Sequence, residues 1–219
     1  MVSERFALHR AFCLVCLMPR SFPKARVGKL EAWNTEEPMK TVWVFGYGSL
    51  MWDRWETPLG GRRVDHAVLL GYRRAFNKRS VENWGTREFP AATLGLEPVV
   101  GARCVGSAFE FAEEQRVTVV TSLKGREGKS FALPELPVLL PDGREVRALT
   151  PVNATSGPTY IGQIPIADRA RMAAAARGTS GACADYVREI KEKLDSLGIT
   201  DEAVEGFVAH LKSEQARKS

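Results

Sequence analysis

The stretch Thr41-Val-Trp-Val-Phe-Gly-Tyr-Gly-Ser-Leu-Met-Trp52 decides how the rest of the chain is read. Its first six residues are a short β-branched and aromatic run, the composition of a buried strand. The strand delivers the chain into Gly46-Tyr-Gly48-Ser49, a glycine-rich turn. Glycine lets backbone come close to a ligand, so successive N–H groups can converge on one anion. The same residues also make tight turns for purely structural reasons. Neither a Walker loop nor a G-x-G-x-x-G dinucleotide loop is present.

Working outward, Ala67 to Phe76 is a second strand candidate, followed by a polar loop through Asn83, Gly85 and Thr86. Ala91 to Leu96 and Arg103 to Phe111 are two more, the latter with Val105, Phe109 and Phe111 on one face at period 2. Ala112 to Lys124 reads as a helix, with Glu113 and Glu114 early and Lys124 late to suit its dipole. Glu135 to Leu140 and Glu145 to Val152 flank Pro141-Asp-Gly143, a hairpin turn signal. Beyond Tyr160 the pattern is helical. It gives Ile166 to Arg177, then Gly181 to Leu197 with Gly198 as its stop, then a helix capped at Thr200-Asp-Glu202 and running to about Lys212. Strands first and helices last predict an α+β domain over residues 41–219. Residues 1–40, with scattered basic residues and prolines and no sustained period, read as an N-terminal extension or as sequence upstream of a natural start at Met39.

Composition removes other classes. The net charge of +5 comes from 31 basic and 26 acidic residues spread along the chain, without the concentrated basic face of a nucleic-acid binder. No apolar run reaches transmembrane length, and the short one from Phe12 to Met18 lacks a signal-peptide cleavage site. Cys13 and Cys16 form a C-x-x-C without a partner pair, and His9, His66 and His210 are scattered, so no metal site is expected. Reduced thiols in a cytoplasmic protein are the reading of the four cysteines. Ser49 lacks the G-x-S-x-G setting of a hydrolase nucleophile.

Two further segments could carry chemistry. Arg126-Glu127-Gly128-Lys129-Ser130 puts a carboxylate between cations just past the predicted helix. It is a solvated loop residue unless Glu127 enters a pocket, where burial raises its pKa and Arg126 or Lys129 lowers it. Gly157-Pro-Thr-Tyr160-Ile-Gly162 is a bend whose Tyr160 either offers its phenol to a ligand or plugs a core edge.

These pieces, in this order, resemble the ChaC-type γ-glutamylcyclotransferases. Val42 to Trp52 is similar to that family's opening strand and substrate loop, and Gly71-Tyr-Arg-Arg-Ala-Phe76 to its second-strand motif. Arg126-Glu127-Gly128 resembles the segment carrying its catalytic glutamate, and Gly157 to Gly162 its late P-x-Y-[LI]-G bend. The resemblance spans roughly residues 41–210. It implies a small mixed β-barrel-like sheet with flanking C-terminal helices. The implied activity releases 5-oxoproline from glutathione, giving Cys-Gly, or from a related γ-glutamyl compound, without metal or cofactor. It implies Glu127 as general acid and base, and Val44, Phe45, Gly46, Tyr47, Gly48, Ser49, Leu50 and Tyr160 as the substrate-binding set. The family pattern has paired glycines and a tyrosine after its glutamate, where this chain has Gly128-Lys-Ser-Phe131. The leaving group therefore stays open. A γ-glutamylamine, another γ-glutamyl dipeptide, or a γ-glutamyl-binding module without catalysis are the alternatives. The oligomeric state is not encoded in any pattern found.

Overall fold

The computed structural model describes residues 40–127 and 131–217. The sequence-predicted leader up to residue 39, with Cys13, Cys16 and His9, lies outside the described residues, as do Gly128, Lys129 and Ser130.

Strand β1 (Thr41–Gly46) runs into a 3-10 turn at Ser49–Met51. The long strands β2 (Arg62–Ser80) and β3 (Ala91–Ala112) form an antiparallel pair, and helix α1 (Arg116–Glu127) follows after a 3-10 turn at Glu113–Gln115. Next come β4 (Phe131–Ala132), β5 (Glu135–Leu139), β6 (Glu145–Leu149) and β7 (Val152–Asn153). Helix α2 (Ile166–Ala175), the small hairpin β8 (Arg177–Gly178) and β9 (Gly181–Ala182), and helices α3 (Cys183–Ser196) and α4 (Glu202–Ala216) complete the chain. Strands β1, β3, β2, β5 and β6 close into a barrel in that order, all neighbours antiparallel except β6 with β1. This is the α+β barrel with C-terminal helices expected from the sequence, with α1 inserted before the last strands.

β1 is apolar without alternation because both its faces are covered. Val42 and Val44 pack with Leu50, Trp55, Phe109 and Phe111 against Val119 and Leu123 of α1. Trp43 and Phe45 join Leu69, Leu96, Cys104 and Ala108 in the larger core, which continues to the C-terminal helices. Phe76 of β2 stacks on Phe207 of α4 with centroids 4.0 Å apart, tying barrel to helices. Val105 does not share an environment with Phe109 and Phe111: it packs against the larger core, they against α1.

β2 and β3 run beyond their predicted limits. Cross-strand pairs Arg73–Glu97 and Arg62–Glu110 sit on the outside of the sheet, so these polar stretches remain strand. The two predicted strands 91–96 and 103–111 are halves of one strand. Tyr72 pairs with Pro98 and Leu70 with Arg103, so residues 99–102 are an excursion opposite Gly71. Extension at the other end carries β2 past Phe76 to Lys78 and Ser80. Helix α1 likewise lasts to Glu127, which is therefore its final residue and not a loop residue.

Candidate active site

A cavity of about 400 Å³ opens at one end of the barrel. Its walls are Tyr47, Gly48, Ser49, Leu50 and Trp52 from the first turn, Lys78 and Ser80 from β2, and Thr93 and Leu94 from β3. Trp84 of the β2–β3 loop, Arg126 and Glu127 of α1, Phe131, and Tyr186, Glu189 and Ile190 of α3 close the rest.

The turn is held from beneath. Arg74, wholly buried, donates from Nε to the Tyr47 carbonyl at 2.8 Å and from a terminal nitrogen to the Val105 carbonyl at 2.7 Å. Its other terminal nitrogen pairs with Asp201 Oδ2 at 2.8 Å. Asp201 meanwhile caps α4, accepting from the N–H groups of Ala203 and Val204 at 3.1 Å each. One guanidinium thus joins turn, barrel and last helix. Gly46 lets the chain fold back on itself, since a Cβ there would stand 2.9 Å from that of Leu50. The start of a 3-10 turn leaves its first N–H groups without intrahelical acceptors. Gly48, Ser49 and Leu50 line the cavity at that start.

Glu127 lines the same cavity as this turn and interacts electrostatically with Tyr47. Burial raises its pKa above the usual glutamate range; Lys78 and Arg126 oppose the rise and Asp53 adds to it. Its position at a helix C-terminus, where the dipole disfavours an anion, acts in the same sense as burial. Arg126 is ion-paired with Asp53, just beyond the first turn, which fastens the end of α1 beside the loop it faces. Lys78 projects over the Phe131 ring, its ammonium 3.9 Å from the ring centre, and burial holds its pKa below the ordinary lysine range.

The structure brings Glu127 together with Tyr47, Gly48, Ser49 and Leu50. Val44, Phe45 and Gly46 stand outside the cavity wall: the two side chains are fully buried in the core on opposite faces of β1, beneath the turn. Tyr160 also stands outside it. Its ring folds over Gly162, where a Cβ would lie 2.1 Å from the hydroxyl, and its backbone bridges to Lys78. The bend bonds along the end of β2, with Arg79 donating to Thr159 at 2.7 Å and Ile161 to Asn77 at 2.8 Å. The bend supports the Lys78 backbone, and the Tyr160 ring is not among the residues lining the cavity.

A different tyrosine reaches the cavity. Tyr186 accepts a hydrogen bond from the Leu94 N–H at 3.2 Å, its own proton has no acceptor among the described residues, and burial holds that phenol in its neutral form. Trp84 lies against it, centroids 4.7 Å apart. In the sequence, Tyr186 falls inside the predicted helix from Gly181 to Leu197 and Lys78 within a charge excess spread along the chain, and neither stands out as a site residue. A phenol in an apolar stripe, needing a hydrogen-bond partner, was the available signal. Burial pushes the Cys104 thiol up to about 11 and that of Cys183 up to about 12, so neither is a nucleophile at neutrality. Among the described residues no group of three or more His, Cys, Asp or Glu side chains is placed to hold a metal ion.

A family model described as ChaC-like protein matches residues 42–214. The chain belongs to the ChaC-like family. It is 30% identical over 187 residues to an Arabidopsis thaliana protein named Gamma-glutamylcyclotransferase 2-3, covering 79% of this chain and 91% of that relative. It is 32% identical over 173 residues to the glutathione-specific gamma-glutamylcyclotransferase of Escherichia coli (strain K12), covering 78% and 73%. The ChaC-like fold is also that of the crystal structure of a yeast gamma-glutamyl cyclotransferase specific to glutathione, with TM-score 0.68 at 18% identity, over 80% of this chain and 96% of that one. Among the described residues no helix is long and apolar enough to cross a membrane.

Proposed function

We propose that this ChaC-like protein is a γ-glutamylcyclotransferase that converts glutathione into 5-oxoproline and Cys-Gly, with Glu127 as its acid and base. The observation that carries the reading is one half-buried carboxyl, its pKa raised by burial, in the same cavity as a glycine turn. The names of the similar proteins from Escherichia coli and yeast support glutathione as substrate.

The reaction asks little of the protein. The substrate's α-amine attacks its own γ-carbonyl, and orienting two groups of one molecule can be worth roughly 7–11 kcal/mol in favourable systems. The amine arrives as an ammonium, with a pKa of about 8, and cannot attack until it loses a proton. Glu127 takes that proton and returns it to the leaving nitrogen, a cycle that suits a carboxyl with a pKa lifted toward neutrality. Backbone N–H groups of Gly48, Ser49 and Leu50 bind the substrate and stabilise the oxyanion that forms on the γ-carbonyl. The Tyr186 phenol, whose proton has no acceptor among the described residues, donates to the bound γ-glutamyl unit. Nucleophile and electrophile both belong to the substrate, so the reaction runs without metal or cofactor. The two buried free thiols, Cys104 and Cys183, fit work in the reducing cytoplasm.

Incubating the purified chain with glutathione and with γ-glutamylalanine tests the reading. Ring closure yields 5-oxoproline, and glutathione is expected to be the faster substrate. Release of free glutamate in its place, or binding with no product, contradicts it.

A further inference from the structure

Among the described residues the cavity wall carries two cationic side chains, and they are not equivalent. Arg126 is committed to Asp53. Lys78 is half-buried, and among the described residues its ammonium has the Phe131 ring as a neighbour at 3.9 Å but no carboxylate as an ion-pair partner. Its position is fixed at the backbone on both sides, because the Thr93 hydroxyl donates to the Lys78 carbonyl at 3.1 Å while Tyr160 bridges it from the other side. A cation kept in a partly dry cavity without a close ion-pair partner, with the Glu127 carboxyl only a more distant neighbour, is costly. Such a site is stabilised when an anionic ligand arrives.

The γ-glutamyl unit carries a suitable anion. Its α-carboxylate and α-amine hang from one carbon, so their oxygen and nitrogen atoms lie within about 3 Å of each other by ordinary bond geometry. If the amine is to meet Glu127, the carboxylate must land beside it. Among the described residues Lys78 is the cation without an ion-pair partner that is electrostatically coupled to Glu127. We propose that Lys78 binds the α-carboxylate of the γ-glutamyl unit and so turns the amine toward Glu127, making the free α-carboxylate the feature by which substrates are admitted. This rests on the cyclotransferase reading and adds a specificity-determining residue to it. The cation–π contact with Phe131 holds the ammonium at that spot without neutralising it.

The test compares glutathione with an analogue in which a 4-aminobutyryl group replaces the γ-glutamyl unit. That analogue has the same amine and carbonyl and closes to 2-pyrrolidinone, the amine nitrogen bonding to the carbonyl carbon as the C–N bond to cysteine breaks. It lacks only the α-carboxylate. Wild-type protein is expected to favour glutathione by about 10- to 100-fold in kcat/KM, the size of a charge-assisted hydrogen bond in a shielded site. Lys78→Met and Lys78→Gln are expected to lose that factor on glutathione while changing the analogue by less than about threefold, and Lys78→Arg to keep most of it. Equal losses on both substrates, or undiminished glutathione turnover in Lys78→Met, overturn the assignment. Should the neutral variants fail to fold, a wild-type preference near one overturns it equally. Wild-type protein that closes neither ring removes the cyclotransferase reading itself, which separates the two failures.

Discussion

Arg74 donates its Nε–H to the carbonyl of Tyr47 across 2.8 Å while the same guanidinium holds Asp201 at the start of α4. The turn is therefore coupled to the C-terminal helices through a side chain that lies beneath the cavity wall and is not itself part of it. Arg74→Met leaves Asp201 without its ion-pair partner and the Tyr47 and Val105 carbonyls without the guanidinium donor. Breaking one side of a buried pair costs about 3–5 kcal/mol. Urea denaturation should show a loss of that size, with whatever activity survives reduced because the turn has lost its support.

Glu127 should be an energetic burden on the folded state. Its folded pKa lies above the unfolded value, so the folded carboxyl holds its proton more tightly and ionisation costs stability. That contribution is favourable below the unfolded pKa and is lost as pH rises through the folded one. Glu127→Gln is accordingly expected to melt no lower than wild type at pH 7. Its advantage should shrink as pH falls toward the range where the wild-type carboxyl is protonated. A large drop in melting temperature at pH 7 contradicts this.

Two substitutions flanking Glu127 should move its titration in opposite directions. Arg126 lowers its pKa and Asp53 raises it. The acid limb of kcat/KM, which reports the base in the free enzyme, is expected to shift to higher pH in Arg126→Gln and to lower pH in Asp53→Asn. Lys78, which also faces the carboxyl, stays in place in both. The Arg126–Asp53 pair is about one-third exposed, so stability should change by less than about 1 kcal/mol in either variant.

Tyr186→Phe removes both the acceptor for the Leu94 N–H and the proton offered to the cavity. Stability should fall by about 1 kcal/mol for the lost hydrogen bond. If the phenol orients bound substrate, KM should rise about tenfold with a smaller change in kcat. Ser49→Ala, at the exposed lip of the turn, should likewise act mainly on KM. Tyr160→Phe should leave both constants near wild type, since that ring lies over Gly162 and outside the cavity.

The sequence reveals the barrel where local chemistry and burial agree. β1 is legible because both its faces are buried, and the β5–β6 hairpin because Pro141-Asp-Gly143 specifies a turn. The ends of β2 and β3 were hidden, since Arg73–Glu97 and Arg62–Glu110 make strand look like loop until the partner strand is known. Glu127 lies one helical turn beyond the predicted helix, in a stretch whose flanking Arg126 suggested open solvent. Its burial depends on β2 and α3 coming together, which no local pattern encodes. The same non-local packing separates Tyr160 from Tyr186: one is drawn to Gly162, the other to Leu94 some ninety residues away in sequence.

The most direct measurement is 5-oxoproline released from saturating glutathione by wild type and by folded Glu127→Gln protein. A positioned acid–base group contributes roughly 10²–10⁴-fold, so the variant should lose at least about a hundredfold in kcat. Release by Glu127→Gln within a few-fold of wild type would contradict the account, because the cavity would then be closing rings without the carboxyl assigned to move the proton.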